Sequence, residues 1–153
     1  TGDIGEIDTN GFLSITDRKK EMFKTSGGKY IAPAVLESEL KQSRFIEQIL
    51  VIGEGEKMPA ALIQPNFDFI KEWAARHDYK ITNVTTDEKL INRIQKEIDF
   101  YNQNFGKWER IKRFEITPNE WSIEAGLLTP TMKMKRRVII EKYKNLYQKI
   151  YNS

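Results

Sequence analysis

Apolar positions recur along this chain in two periods, and the switches between them mark the elements. In EIDTNGFLSITD short alternating stretches flank Asn10-Gly11, a pair that tolerates positive φ, so the pattern predicts a β-hairpin. IAPAVLESELKQS changes to helical spacing, with Pro33 in the first turn and Val35, Leu36 and Leu40 on one face. FIEQILVIGEGEKMPAALIQPN predicts two strands joined by a polar turn through Gly53 and Gly55. FDFIKEWAARH predicts a helix that turns Phe69, Ile70 and Trp73 inward. TTDEKLINRIQKEIDFYNQNF predicts the longest helix, capped by Asp87, with Leu90, Ile91, Ile94, Ile98 and Tyr101 in register. IKRFEITP predicts a third strand and WSIEAGLLTPTMKMKR an irregular stretch. RRVIIEKYKNLYQKIY predicts a final amphipathic helix with Ile139, Tyr143, Leu146 and Ile150 on one face. The expected fold class is α+β: an N-terminal β-hairpin, then a small central sheet of about three strands flanked by helices.

Composition narrows the function classes. At 153 residues, 39% hydrophobic and 31% charged, the chain reads as one globular domain. It has no Cys, which excludes disulfides and thiolate metal sites, and its single His77 excludes a multi-histidine site. The net charge of +3 is too small to mark a dedicated nucleic-acid binder. No apolar run approaches the roughly 20 residues that span a bilayer. The chain opens on Thr1 inside a turn-like TGDIGEIDTNG, so it is expected to be a piece of something longer.

Three clusters carry candidate chemistry. DRKKEMFKTSGGKYIAP joins cations to a Gly pair; Lys24 alternates with Met22 and Phe23 as in a half-buried strand, and Gly27 and Gly28 would let a ligand approach the backbone. Its SGGK is not a phosphate-binding loop, because position 23 is Phe and position 30 is Tyr. The Gly53-Gly55 pair is no better, since a strand rather than a helix should follow it. LLTPTMKMKRR places Lys133, Lys135, Arg136 and Arg137 within five residues at a helix start. Cations oppose the helix dipole there, which implies an anionic partner elsewhere. TGD, with Asp3, is by itself only a turn.

In chain order, TGD then DRKKEMFKTSGGKYIAP near the start and LLTPTMKMKRR near the end, the three clusters resemble the C-terminal domain of the adenylate-forming acyl-CoA synthetases, in wording most similar to the long-chain fatty acyl-CoA synthetase branch, and the resemblance spans essentially the whole chain. It implies a ligase that joins a fatty acid to coenzyme A through an acyl-adenylate, using ATP and releasing AMP and pyrophosphate. It also implies two lobes, a hairpin and hinge approach over residues 1–19, and a mobile domain over 20–153 that swings against a large N-terminal domain absent from this sequence. By position the resemblance assigns Asp3 and Arg18 to the nucleotide, Lys20 to the hinge, and Lys133 to the α-phosphate and carboxylate during adenylation. Gly27 is assigned to the coenzyme A passage, with Gly28, Lys24 and Lys29 on the same loop. Many relatives carry Gly before the catalytic lysine, where this chain has Met132. The phosphate loop, the Mg2+-binding acid and the fatty-acid tunnel of such enzymes belong to the large domain, so the isolated chain is expected to be inactive. A cytoplasmic location is expected, with peripheral membrane contact left open and no nucleic acid as partner.

Two other readings compete. Tyr143, Tyr147 and Tyr151, interleaved with Lys in the last helix, fit a stand-alone anion-binding module for RNA or an acidic membrane surface; packing against the sheet explains them more simply. A relative that adenylates another carboxylic acid is the third.

Overall fold

The computed structural model describes residues 22–152. The hairpin expected around Asn10-Gly11 lies outside the described residues. Within them a two-stranded hairpin of β1 (Phe23–Lys24) and β2 (Tyr30–Ile31) leads into α1 (Pro33–Leu40). Pro33 takes the first helical position, where its missing N–H costs nothing. Leu36 and Leu40 are buried as expected, whereas Val35 is 47% exposed. The third residue of the predicted face that packs inward is instead Glu37, which is 5% exposed.

Strands β3 (Ile46–Ile52) and β4 (Ala60–Pro65) pair antiparallel, and β5 (Arg113–Ile116) adds parallel to β4, so β3 and β5 are the edges. Between β4 and β5 run α2 (Phe67–Arg76), α3 (Glu88–Asn102) and a short 3-10 turn (Lys107–Glu109). Asn66 and Asp87 cap α2 and α3 by accepting the N–H of Phe69 and of Leu90. After β5 come α4 (Arg136–Lys142) and α5 (Lys144–Asn152). The final helix is thus broken at Tyr143, whose backbone leaves helical geometry while its ring is buried beside Trp121.

The sheet is covered on both faces, which explains why β3 and β4 read as nearly continuous apolar runs. Ile49, Val51, Ala61 and Ile63 face a core built with Leu36, Leu40, Leu90, Ile94 and Ile98. Leu50, Ile52, Ala60 and Leu62 face a second core built with Trp121, Leu127, Leu128, Ile139 and Ile150. The stretch expected to be irregular is therefore structural: Trp121 donates its indole N–H to Thr117, and its backbone N–H bonds the side chain of Gln64.

The free side of β3 is held by one cluster. The Val51 N–H donates to Glu37 Oε2 at 2.8 Å, and Arg136 grips the same carboxylate in bidentate fashion at 2.6 and 2.8 Å. The cluster ties α1, β3 and α4 together. Glu37→Ala removes the acceptor of a buried N–H and the carboxylate opposite Arg136, and should cost about 2–4 kcal/mol of stability by denaturant unfolding. Adding Arg136→Met to that variant should cost little more, because the groups act as a unit. Additive losses would show that they do not.

Candidate functional site

A concavity of about 870 Å³ follows the free side of β3. Phe23, Val51, Gly53, Lys133, Met134 and Tyr147 line it, with Arg136 and Arg137. Sequence-distant cations therefore meet the end of the first basic segment in one groove.

Lys133 is positioned by a tight loop. Thr129 donates its N–H to the Lys133 carbonyl at 2.8 Å and accepts the Lys133 N–H on its hydroxyl at 3.0 Å. A bridge between Leu128 and Met134 closes the base, and the Lys135 N–H bonds the Leu127 carbonyl at 2.9 Å. The loop thus hangs from the second core through Leu127 and Leu128. Met132 turns it with φ of 68°, a left-handed conformation that suits Gly and strains other residues. Of the four clustered cations, Arg136 finds its anion inside the fold, in Glu37. Lys133, Lys135 and Arg137 have no carboxylate partner among the described residues. That leaves the groove electropositive.

The Gly pair sits elsewhere. It forms the turn of the β1–β2 hairpin, where Gly28 has φ of 84° and Thr25 bonds Lys29 through backbone and hydroxyl. The hairpin docks on the β3–β4 turn: Ser26 N–H donates to the Glu56 carbonyl and Gly55 N–H to the Lys24 carbonyl. Lys24 lies 5.7 Å from the centroid of the Tyr30 ring, and Lys29 lies 5.6 Å from that of Trp108. Tyr30 and Trp108 are 57% and 50% exposed. Gly27, Gly28 and Lys29 do not line the Lys133 groove. Asp3, Arg18 and Lys20 lie outside the described residues.

Two participants, Glu37 and Trp108, were not singled out from sequence, and a third was given another role. Glu37 gave no signal, being one acid in a polar helix. Trp108 is a large aromatic beside Gly106, between a helix and a strand, and that mismatch with a surface turn was its only signal. Tyr147 was read as core packing, yet it also lines the groove. Its hydroxyl donates to Glu56 at 2.8 Å; burial first, then that carboxylate, pushes the phenol's pKa upward. Tyr143 is buried, and Tyr151 donates to the Met58 carbonyl at 2.8 Å. All three tyrosines are thus engaged by the fold, which removes the support for a stand-alone RNA or membrane module.

Residues 21–153 match the family model described as the AMP-binding enzyme C-terminal domain. The chain is 38% identical over 156 residues to a long-chain-fatty-acid–CoA ligase, FadD15, of Mycobacterium tuberculosis, covering 99% of this chain and 26% of that one. It is 34% identical over 161 residues to long-chain-fatty-acid–CoA ligase 5 of Mus musculus, covering 100% of this chain and 23% of that one. The chain spans about a quarter of the length of the curated relatives it matches. Among solved structures, the adenylation domain of a carboxylate reductase from Mycobacterium chelonae superposes with a TM-score of 0.73 at 22% identity, over 89% of this chain and 20% of that one.

Because Met132 is 57% exposed, substitution there tests backbone geometry with little loss of packing. Met132→Gly should fold at least as stably as the parent, and Met132→Val should lose about 1–2 kcal/mol in a denaturant titration. Equal stabilities would mean that the loop relaxes out of the left-handed turn.

Proposed function

We propose that this chain, which belongs to the AMP-binding enzyme C-terminal domain family, is the C-terminal lobe of an ATP-dependent long-chain fatty acid–CoA ligase. The observation that carries the reading is the separation of two kinds of loop on one rigid sheet. Lys133 lines the β3 groove together with Phe23 at the base of the hairpin, while the Gly27-Gly28 turn at the hairpin's tip does not line it. That arrangement suits a lobe that offers one face to each of two half-reactions.

In the first step a fatty carboxylate oxygen attacks the α-phosphorus of ATP, and pyrophosphate leaves. Lys133 supplies a positive point charge to the α-phosphate and carboxylate as negative charge gathers there. Arg18 and Asp3 contact the nucleotide, and Lys20 is the hinge. In the second step the coenzyme A sulfur attacks the acyl carbonyl, AMP leaves, and the thiol proton passes to solvent. The hairpin then lines the passage: Gly27 presents no side chain, Gly28 makes the turn, and Lys24 and Lys29 offer cations beside Tyr30 and Trp108. The described residues contain no group of three or more Asp, Glu or His able to hold a metal ion. The Mg2+ that the nucleotide step is expected to use is assigned to the large lobe, and no step is assigned to it here. ATP, coenzyme A and the large lobe are its partners, and alone it is inactive. No helix among the described residues is long and apolar enough to cross a membrane; a cytoplasmic location with peripheral membrane contact is part of the proposal.

In the full-length enzyme Lys133→Ala should slow adenylate formation, followed by pyrophosphate release, by about 10²- to 10³-fold. Thioester formation from supplied acyl-adenylate should remain largely intact, and equal loss of both steps would sink the assignment. Gly27→Leu should do the reverse. A Cβ at Gly27 meets nothing nearer than Thr25 Oγ1 at 4.0 Å, so the lobe should fold and the side chain act only on the passage. Gly28 cannot serve for this test, because its φ of 84° would strain any replacement. Unimpaired thioester formation in Gly27→Leu would place the passage elsewhere.

A further inference from the structure

A second concavity, about 460 Å³, opens between the end of α2 and the first half of α3. It shares no lining residue with the β3 groove. Trp73, His77 and Tyr79 wall it, and Lys89, Arg93 and Lys96 stand on its α3 side. With Asn92, which also lines it, these α3 residues follow the i, i+3, i+4, i+7 spacing that puts them on one helix face.

The aromatic walls are held in place before any ligand arrives. Trp73 meets Phe45, His77 and Tyr79 edge-to-face, with centroids 5.5, 5.5 and 6.3 Å apart. Tyr79 is oriented by its hydroxyl's bond to Asp87, the residue that caps α3. Lys89 Nζ lies 4.4 Å from the Tyr79 centroid, and the Arg93 guanidinium 4.8 Å from that of Phe45.

Two acids of this region are committed, while Glu88, at the start of α3, lies close enough to act on Tyr79. Glu97 pairs with Arg93 at 2.7 Å and accepts from Ser43 at 2.6 Å, while Asp87 holds Tyr79 and the Leu90 N–H. Lys89 and Lys96 have no carboxylate partner among the described residues. The pocket thus combines ordered rings with two ammonium groups that make no direct ion pair among the described residues. Rings receive a flat apolar group and ammonium groups receive oxyanions. A flat membrane surface would not need the concavity, which favours a small molecule.

We propose that this pocket binds a nucleoside phosphate at a site separate from the β3 groove, with the base against Trp73 and Tyr79 and the phosphate at Lys89 and Lys96. The site does not depend on the ligase reading, because none of its residues belongs to the Lys133 loop or the Gly27 hairpin.

The three indole N–H signals, from Trp73, Trp108 and Trp121, give local reporters in the 15N-labelled chain. Titration with AMP should shift the Trp73 signal to saturation. Adenosine and inorganic phosphate, run separately, should each bind about tenfold or more weakly than AMP, since each offers only half of the recognition. Lys89→Glu with Lys96→Glu changes two exposed positions and should weaken AMP at Trp73 by about tenfold or more, with the Trp121 signal unchanged as the check on folding. Lys133→Ala should leave the Trp73 response intact. Four results would overturn the proposal: a Trp73 signal that AMP does not move, inorganic phosphate binding as tightly as AMP, undiminished AMP binding in the double variant, or loss of the response in Lys133→Ala.

Discussion

A strand at the edge of a sheet needs partners for the hydrogen-bonding groups along its free side, and in this lobe that need organises the site. β3 is apolar on both faces, so it cannot turn its edge to water by tilting one face outward. Glu37 supplies an acceptor to Val51, and a buried carboxylate is tolerable only when it is fully bonded. Arg136 completes the set with two charge-assisted bonds. The consequence reaches past the edge itself. Arg136 opens α4, three residues after Lys133, so the contact that seals the strand also fixes where the lysine loop leaves the body of the lobe.

Much of this was legible in the sequence because burial imposes periodicity. The apolar runs of β3 and β4 marked two strands, and in the structure Ile49 and Val51 enter one core while Leu50 and Ile52 enter the other. Helical spacing located α3 and its cap at Asp87, where local chemistry and tertiary packing agree. The misses share a cause. Glu37 takes an inward position in α1 that apolar counting gave to Val35, because its partner lies 99 residues away and long-range charge pairing leaves no local pattern. Trp121, Leu127 and Leu128 join the second core from a segment without regular structure, so no period announces them.

The candidate site was legible to a different degree. The cation cluster at 133–137 opposes the helix dipole, and that local conflict pointed to a partner anion; the structure supplies one for Arg136 inside the protein. The same conflict persists for Lys133, Lys135 and Arg137, of which Lys133 and Arg137 line the groove. Met132 shows a second conflict, between a side chain and a left-handed backbone, and it too falls on the loop that carries the lysine. Both local inconsistencies fall on the one loop that carries Lys133.

Glu56 explains why the two loops behave as parts of one body. Its carbonyl accepts the Ser26 N–H of the hairpin, and its carboxylate accepts the Tyr147 hydroxyl of α5, beside the Lys133 groove. The turn that carries it is crowded: a Cβ on Gly53 would come within 2.9 Å of the Met58 carbonyl, so the chain passes there only as glycine, with φ of 141°. Hairpin, β3–β4 turn and α5 are thereby locked to the same sheet, and the lysine loop is locked to it through Leu127, Leu128 and Arg136. Neither loop can travel far relative to the other without breaking these bonds. A reaction that needed both at one reacting centre in succession would have to move the whole lobe, and a rigid lobe turning on a short hinge does this at lower cost than two loops each refolding in place.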